Sequence, residues 1–410
     1  MTIKEQFIRE IAHALLSIVF EGRFADSALQ RKFRDNKQWS AEEKSVAAKT
    51  LYSLLRNWRR AWYTIRREET NDVVALERLI LMWMRLQGVN LHSMANGLPY
   101  SKQDLQERWS SLDDTDATTF ALRMSLPDWL AELCNREIGD TFPSIAEALL
   151  AEPTITVRTN TLRTSVQELR ALFDEQGIRT TVHDVFPDAI FLEQYHNVFA
   201  TTEFKNGLFE VQDAGSQLIA PFVQAEAGMR VVDACAGSGG KALHLAACMQ
   251  NKGRILALDT EAWKLNALME RSRRAGASII ETRAVNTTKV IKRLHDSADR
   301  VLLDVPCSGL GVLRRNPDTK WHLSNDTLRT LRSTQQEILR RYSLMVKPSG
   351  KLVYATCSIL PSENEEQVRW FIANNHGWEL EEERRISPAD YNSDGFYMAR
   401  LRRIGLSDND

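Results

Sequence analysis

Two cysteines and an aspartate carry the strongest chemical signal in this chain. Asp304-Val305-Pro306-Cys307-Ser308-Gly309 follows the apolar run 301–303, and Thr356-Cys357-Ser358 follows the apolar run 351–355. Cysteine attacks carbon readily near neutral pH once its thiolate is stabilised. A lone cysteine is more often a small buried filler, but two at consecutive strand ends, both flanked by small polar residues, point to chemistry. A second signal lies upstream in 231–241, a strand ending in Asp233 followed by Ala234, Cys235, Ala236, Gly237, Ser238, Gly239, Gly240 and Lys241, then an apolar helix. Glycines let backbone approach a ligand closely and present N–H groups at a helix N-terminus. One βα unit later Asp259 ends the run 255–259, where a carboxylate can bind two ribose hydroxyls. Together the loop and the acid indicate an adenosine-containing cofactor, and their spacing does not separate a dinucleotide from S-adenosylmethionine.

These residues need a scaffold that gathers them. From Gly228 apolar strands at 230–233, 254–258, 281–285, 300–304 and 351–355 alternate with helical stretches, and 394–403 reads as a last strand after a turn. That alternation predicts a doubly wound, mostly parallel sheet, with strand C-termini facing one crevice. Before it, 153–220 reads as a small α+β module: strands around 154–158, 180–182, 189–192 and 208–211, and a helix over 165–176 closed by Gly177. The first stretch is poor in Gly and Pro and shows helical spacing, as in Leu51, Leu54 and Leu55, and Ser125 to Asp128 opens a helix carrying Trp129 and Leu130. The expected organisation is an all-helical segment at 1–140, a small α+β module at 150–222 and an α/β domain at 225–405 that carries the chemical motifs.

Composition bounds the class. The 410 residues carry 53 Lys+Arg against 54 Asp+Glu and are 43% hydrophobic, which excludes a disordered or collagen-like chain. Apolar runs are short and broken by charge, so no bilayer span is expected, and the opening segment does not read as a signal peptide. Five cysteines, an odd number without a CxxC pair, argue against a disulfide framework and a zinc site and for a cytoplasmic chain without metal. Charge is uneven: 31–67 holds eleven Lys/Arg against three Asp/Glu, with Arg56, Arg59, Arg60, Arg66 and Arg67 interleaved with Trp58, Trp62 and Tyr63. Such mixing suits a phosphate backbone with stacking bases, or equally a solvated helix face whose tryptophans turn into a core.

The motifs together resemble the RsmB/Nop/Sun RNA 5-methylcytosine methyltransferases. The likeness covers at least 125–403 and includes 211–217, 314–321 after the first cysteine, and 394–401. It implies a class I, Rossmann-like methyltransferase domain and S-adenosyl-L-methionine as cofactor. In this family the nucleophile that adds to cytosine carbon 6 corresponds to Cys357, and Cys307 assists product release. Asp304 stabilises charge on the ring and sits near the cofactor. Cys235 to Lys241 surround the methionine part of the cofactor, and Asp259 holds its ribose. A DNA-type enzyme would use Cys307 as nucleophile, and the second cysteine in Thr-Cys-Ser selects the RNA family. Two positions depart from its pattern: Ser238 replaces a proline, and Asn286 stands where an aspartate contacts adenine. A NusB-like helical domain with RNA contacts is a known variation in the family, which the first segment resembles in character.

The expectation is therefore cytosine-C5 methylation of RNA, most naturally 16S ribosomal RNA, by a monomer with an RNA partner. The alternatives are a transfer RNA methyltransferase of the same chemistry and a non-catalytic RNA-binding ribosome assembly factor. Cys134, Cys248, His244 and His295 read as structural or surface residues, Ser362 with Glu365 as a capping box, and Glu381 to Glu383 as solvated.

Overall fold

The computed structural model describes residues 4–91, 94, 98–112 and 117–404. Their contacts divide the chain into two compact units: residues 1–152 with 312–324, and 153–311 with 325–410.

The first unit is helical. Its main helices are Glu5–Val19, Ala25–Asp35, Ala41–Arg56, Val73–Leu86 and Asp128–Ile138. Ser40 with Glu43 and Ser101 with Asp104 form reciprocal capping boxes, satisfying amides that the first turn leaves unpaired. Leu15, Leu51, Leu54, Leu55, Trp58, Leu76 and Leu79 make its fully buried core. The chain enters this unit a second time at 312–324, inside the span read from sequence as catalytic. There its side chains close helix ends. Lys320 Nζ donates to the Arg56 carbonyl at 2.8 Å and Trp321 Nε1 to that of Leu55 at 3.1 Å, two C-terminal carbonyls without an intrahelical partner. Asp318 accepts from the Ala25 amide at 2.9 Å, at the start of its helix, where a carboxylate is favoured.

This packing decides how the basic, aromatic stretch is used. Trp58 and Trp62 are buried. Arg56 donates to the Arg314 carbonyl at 2.6 Å, and Arg59 pairs with Asp128. Arg60 donates to the Trp109 carbonyl at 2.6 Å while its guanidinium lies 3.9 Å from the Trp109 ring centroid. Most of the stretch is therefore structural, and Arg66 and Arg67 remain exposed.

The second unit begins with the α+β module: β1 (Thr156–Thr159), β2 (Thr180–His183), β3 (Phe186–Leu192) and β4 (Phe209–Val211) form an antiparallel sheet in the order β2-β3-β1-β4. Val157, Leu169, Phe173, Ile190 and Phe209 form its core. Next come β5 (Arg230–Asp233), β6 (Arg254–Asp259), β7 (Ile280–Ala284), β8 (Ala298–Asp304), β9 (Val346–Thr356), β10 (Trp378–Ile386) and β11 (Phe396–Arg403). They form one sheet in the order β10-β11-β9-β8-β5-β6-β7, parallel from β9 through β8, β5 and β6 to β7, with β11 antiparallel to both β9 and β10. This is a Rossmann-like, doubly wound sheet. Strand order reverses between β5 and β8, the switch point where ligands bind.

The sequence reading missed β10. Its Glu-rich run is exposed, but it is not simply solvated: Glu381 bonds Lys351 and Arg400, Glu382 bonds Arg384 and Arg400, and Glu383 accepts from the Tyr397 hydroxyl. Charge on an edge strand blocks further strand addition.

Candidate active site

Asp233, Asp259, Ala284, Asp304 and Thr356 end β5 to β9. Because those strands are parallel, the residues just beyond them share one edge of the sheet.

The loop after β5 follows from its glycines. Gly239 caps the helix Gly240–Cys248 with φ +88°, a left-handed conformation that only glycine adopts freely. A Cβ there would lie 2.3 Å from Leu268 Cγ. Asp259 Oδ2 accepts from the Gly237 amide and Oδ1 from the Glu261 amide, both at 2.8 Å. A carboxylate offers about four acceptor positions, so two remain for hydroxyl groups of a ligand. Ser238 is held by Arg271, which donates to its carbonyl at 2.8 Å and its hydroxyl at 3.1 Å. The same guanidinium and that of Arg274 pair with the buried Glu210. The hydroxyl thus makes a bond that a proline ring could not. Asn286 lines a cavity of about 520 Å³ with Val285, Thr287, Ile338 and Tyr342.

Charges converge behind the loop. Lys241 Nζ lies 2.5 Å from Asp304 Oδ2. Burial works to discharge this lysine, yet the Asp304 carboxylate holds its ammonium above the ordinary range. Asp233 is wholly buried, and burial with nearby Asp304 pushes it up to about 7 against the opposing pull of Lys241 and the Cys235 backbone. Burial, then Asp304, Asp233 and Asp259, push the Cys235 thiol up, so it is no nucleophile.

The two thiols meet: Cys307 Sγ and Cys357 Sγ are 3.3 Å apart. The hydrogen bond to Cys357, then burial, keep the Cys307 thiol well above its ordinary value, which leaves Cys307 carrying a proton. The loops are also joined through backbone, since the Gly311 amide donates to the Cys357 carbonyl at 2.9 Å. A Cβ on Gly311 would fall 2.2 Å from the Gly395 carbonyl oxygen.

Several residues lay beyond the sequence reading. Glu363 is buried and accepts from both motif serines, Ser308 and Ser358. Helix Glu365–Asn374 has Asn364 at its N-cap with no side-chain cap, so the expected Ser362–Glu365 box does not form. Asn364 instead accepts from Thr356 Oγ1 at 2.5 Å and donates to the Ser358 carbonyl at 3.0 Å. Only an unusual density of polar residues in 361–367 signalled this in sequence. His244 is a buried core histidine bonded to Asp188 at 3.0 Å, and burial pushes it down to about 4. Among the described residues, no helix is long and apolar enough to cross a membrane.

Comparison with known proteins agrees with this geometry. Residues 220–402 match the family described as 16S rRNA methyltransferase RsmB/F, and 126–199 match the ferredoxin-like domain of RsmF/B-like methyltransferases. The ribosomal RNA small subunit methyltransferase B of Pasteurella multocida is 32% identical over 80% of this chain and 76% of its own length. A probable ribosomal RNA small subunit methyltransferase B of Synechocystis is 31% identical over 76% of this chain and 74% of its own. A methyltransferase homologue from Pyrococcus horikoshii superposes with a TM-score of 0.63 at 25% identity, over 71% of this chain and 100% of that one. The Asp259 carboxylate with acceptor positions to spare, and the glycine loop at the N-terminus of the helix Gly240–Cys248, fit the cofactor of such a domain, S-adenosyl-L-methionine. The chain therefore belongs to the RsmB/F family of S-adenosyl-L-methionine-dependent ribosomal RNA methyltransferases.

Proposed function

We propose that the chain methylates carbon 5 of a cytosine in 16S ribosomal RNA through a covalent bond between Cys357 and the base. The observation that carries this reading is the thiol pair, 3.3 Å apart at the ends of adjacent strands β8 and β9. Cytosine carbon 5 is a poor nucleophile. A thiolate adding to carbon 6 makes carbon 5 enamine-like, and a cysteine beside a charged cluster is the side chain suited to that addition.

S-adenosyl-L-methionine supplies an electrophilic methyl group. Cys235 to Lys241 and Asp304 would hold its methionine portion, Asp259 its ribose and Asn286 its adenine. Asp304 faces the base and stabilises charge that develops on the ring, while Lys241 holds that carboxylate in place. Release of the methylated base expels the Cys357 sulfur from carbon 6 and takes the proton from carbon 5: Cys307 passes its thiol proton to the departing sulfur, 3.3 Å away, and accepts the carbon 5 proton in its place. The base is reached unstacked, which favours a single-stranded or incompletely assembled RNA.

The test is incubation with radiolabelled S-adenosyl-L-methionine and either 16S RNA or bulk transfer RNA, each from cells lacking the gene, followed by nucleoside analysis. Label in 5-methylcytidine of 16S RNA is expected. Label in another nucleoside would overturn the chemistry, and label confined to transfer RNA would overturn the substrate.

A further inference from the structure

Each cysteine is followed by a serine, and both serines turn inward. Ser308 and Ser358 are buried, their hydroxyl oxygens 3.1 Å apart. Both donate to one oxygen of Glu363: Ser308 Oγ and Ser358 Oγ each lie 2.5 Å from Oε2. The other oxygen, Oε1, accepts from the Ser308 amide at 2.9 Å and from Gln335 Nε2 at 3.0 Å. Gln335 Nε2 also reaches the Pro306 carbonyl at 3.0 Å, on the other side of Cys307. Glu363 itself is fixed, since its own carbonyl accepts from the Tyr354 hydroxyl of β9 at 2.6 Å.

The carboxylate is fully buried and makes four hydrogen bonds, which use its acceptor capacity. It has no free lone pair for substrate, so its work is mechanical and electrostatic. It binds the residue after Cys307 and the residue after Cys357 with a single group, and those residues set where the two Cα–Cβ bonds point.

We propose that Glu363 is the positioning residue of the two-thiol site, clasping the Cys307 and Cys357 loops so that the sulfurs stay in contact. This rests on the reading that both cysteines act in the reaction. The charge has a second effect: Cys357 and Glu363 both oppose the ionisation of Cys307, and the buried Tyr354 hydroxyl also lies within its electrostatic reach. A glutamine can keep the geometry. With its oxygen towards the Ser308 amide and Gln335, its amide faces two hydroxyls that rotate to accept. Glu363→Gln thus removes charge with the clasp retained, and Glu363→Ala removes both.

Phenylarsine oxide reads the clasp without RNA or methyl transfer, because it condenses with two thiols only when they can close on one arsenic, releasing water. Wild type and Glu363→Gln should bind one equivalent with similar affinity, with Cys307→Ala as the blank. Glu363→Ala should bind at least about tenfold more weakly, from the loss of charge-assisted buried bonds. Its kcat should fall roughly 100-fold, as for reacting groups displaced by about 1 Å, with KM for RNA and cofactor little changed. In Glu363→Gln the pH profile of Cys307 alkylation by iodoacetamide should move to lower pH. Wild-type arsenical affinity and kcat in a folded Glu363→Ala, or an unmoved profile in Glu363→Gln, would overturn the proposal. If Glu363→Ala does not fold, Glu363→Asp, one methylene short, replaces it and should lose the same affinity. Should Cys357→Ala remain active while Glu363→Ala still loses the arsenical, the catalytic reading fails and the clasp stands.

Discussion

Gly239 offers a quantitative check on the loop after β5. Replacing it with alanine imposes two costs that can be separated. The first is the left-handed backbone at φ +88°, roughly 1–2 kcal/mol for a residue with a Cβ. The second is the collision of that Cβ with Leu268 at 2.3–3.1 Å, against a wholly buried side chain that has nowhere to retreat. Overpacking of this kind costs about 1–3 kcal/mol, so Gly239→Ala should lose about 2–5 kcal/mol of unfolding free energy. Gly237 is the internal control: it is also left-handed, at φ +54°, but nothing lies within 4 Å of its Cβ position. Gly237→Ala should show only the backbone cost, about 1–2 kcal/mol. Urea unfolding followed by tryptophan fluorescence, with calorimetric titration of S-adenosyl-L-methionine, measures both. Adding Leu268→Ala should recover part of the Gly239→Ala loss, as a coupling of about 1–3 kcal/mol. Equal losses at the two glycines, or zero coupling to Leu268, would refute the loop conformation described here.

Two further outcomes follow from charge. Asp233 titrates at about 7 in the folded chain and at 3.8 as an ordinary carboxyl, so between those values the folded chain holds a proton that the unfolded chain has released. The contribution of Asp233 to stability therefore falls as pH rises from about 4 to about 7 and is level above. Relative to wild type, Asp233→Asn should gain on the order of a few kcal/mol at pH 8 over pH 5, measured by urea unfolding without cofactor. An equal gap at both pH values would contradict it. In the helical unit, Arg60→Leu should cost about 1–3 kcal/mol of stability and leave the salt dependence of RNA binding unchanged. Arg66→Ala and Arg67→Ala should each lower that salt slope by about 0.7–0.9 where they meet phosphate, and an effect of Arg60 alone on the slope would reverse the assignment.

Much of the α/β unit was legible because its signals are local. Strand β5 ends at Asp233 as its apolar run ends, and Ser165 with Glu168 opens a helix that Gly177 closes with φ +72°. The thiol pair was readable because parallel neighbours bring their C-terminal ends together. What stayed hidden depends on partners distant in sequence. Trp58 and Arg60 look like a nucleic-acid surface until packing turns one inward and lays the other on Trp109. Residues 314–321 follow the Asp304–Gly309 motif, yet Asp318, Lys320 and Trp321 close helix ends near Ala25 and Arg56. Strand β10 carries edge charges in place of an apolar face, and Glu363 gains its meaning only when Ser308 arrives from 55 residues away.

The division of labour between the two cysteines is the centre of the account. Purified wild type, Cys357→Ala and Cys307→Ala would be incubated with S-adenosyl-L-methionine and 16S RNA, and protein–RNA adducts resolved on a denaturing gel. The account predicts methylated RNA without a persistent adduct for wild type, neither product nor adduct for Cys357→Ala, and an accumulated adduct for Cys307→Ala. An active Cys357→Ala beside an inert Cys307→Ala would contradict it and make Cys307 the nucleophile.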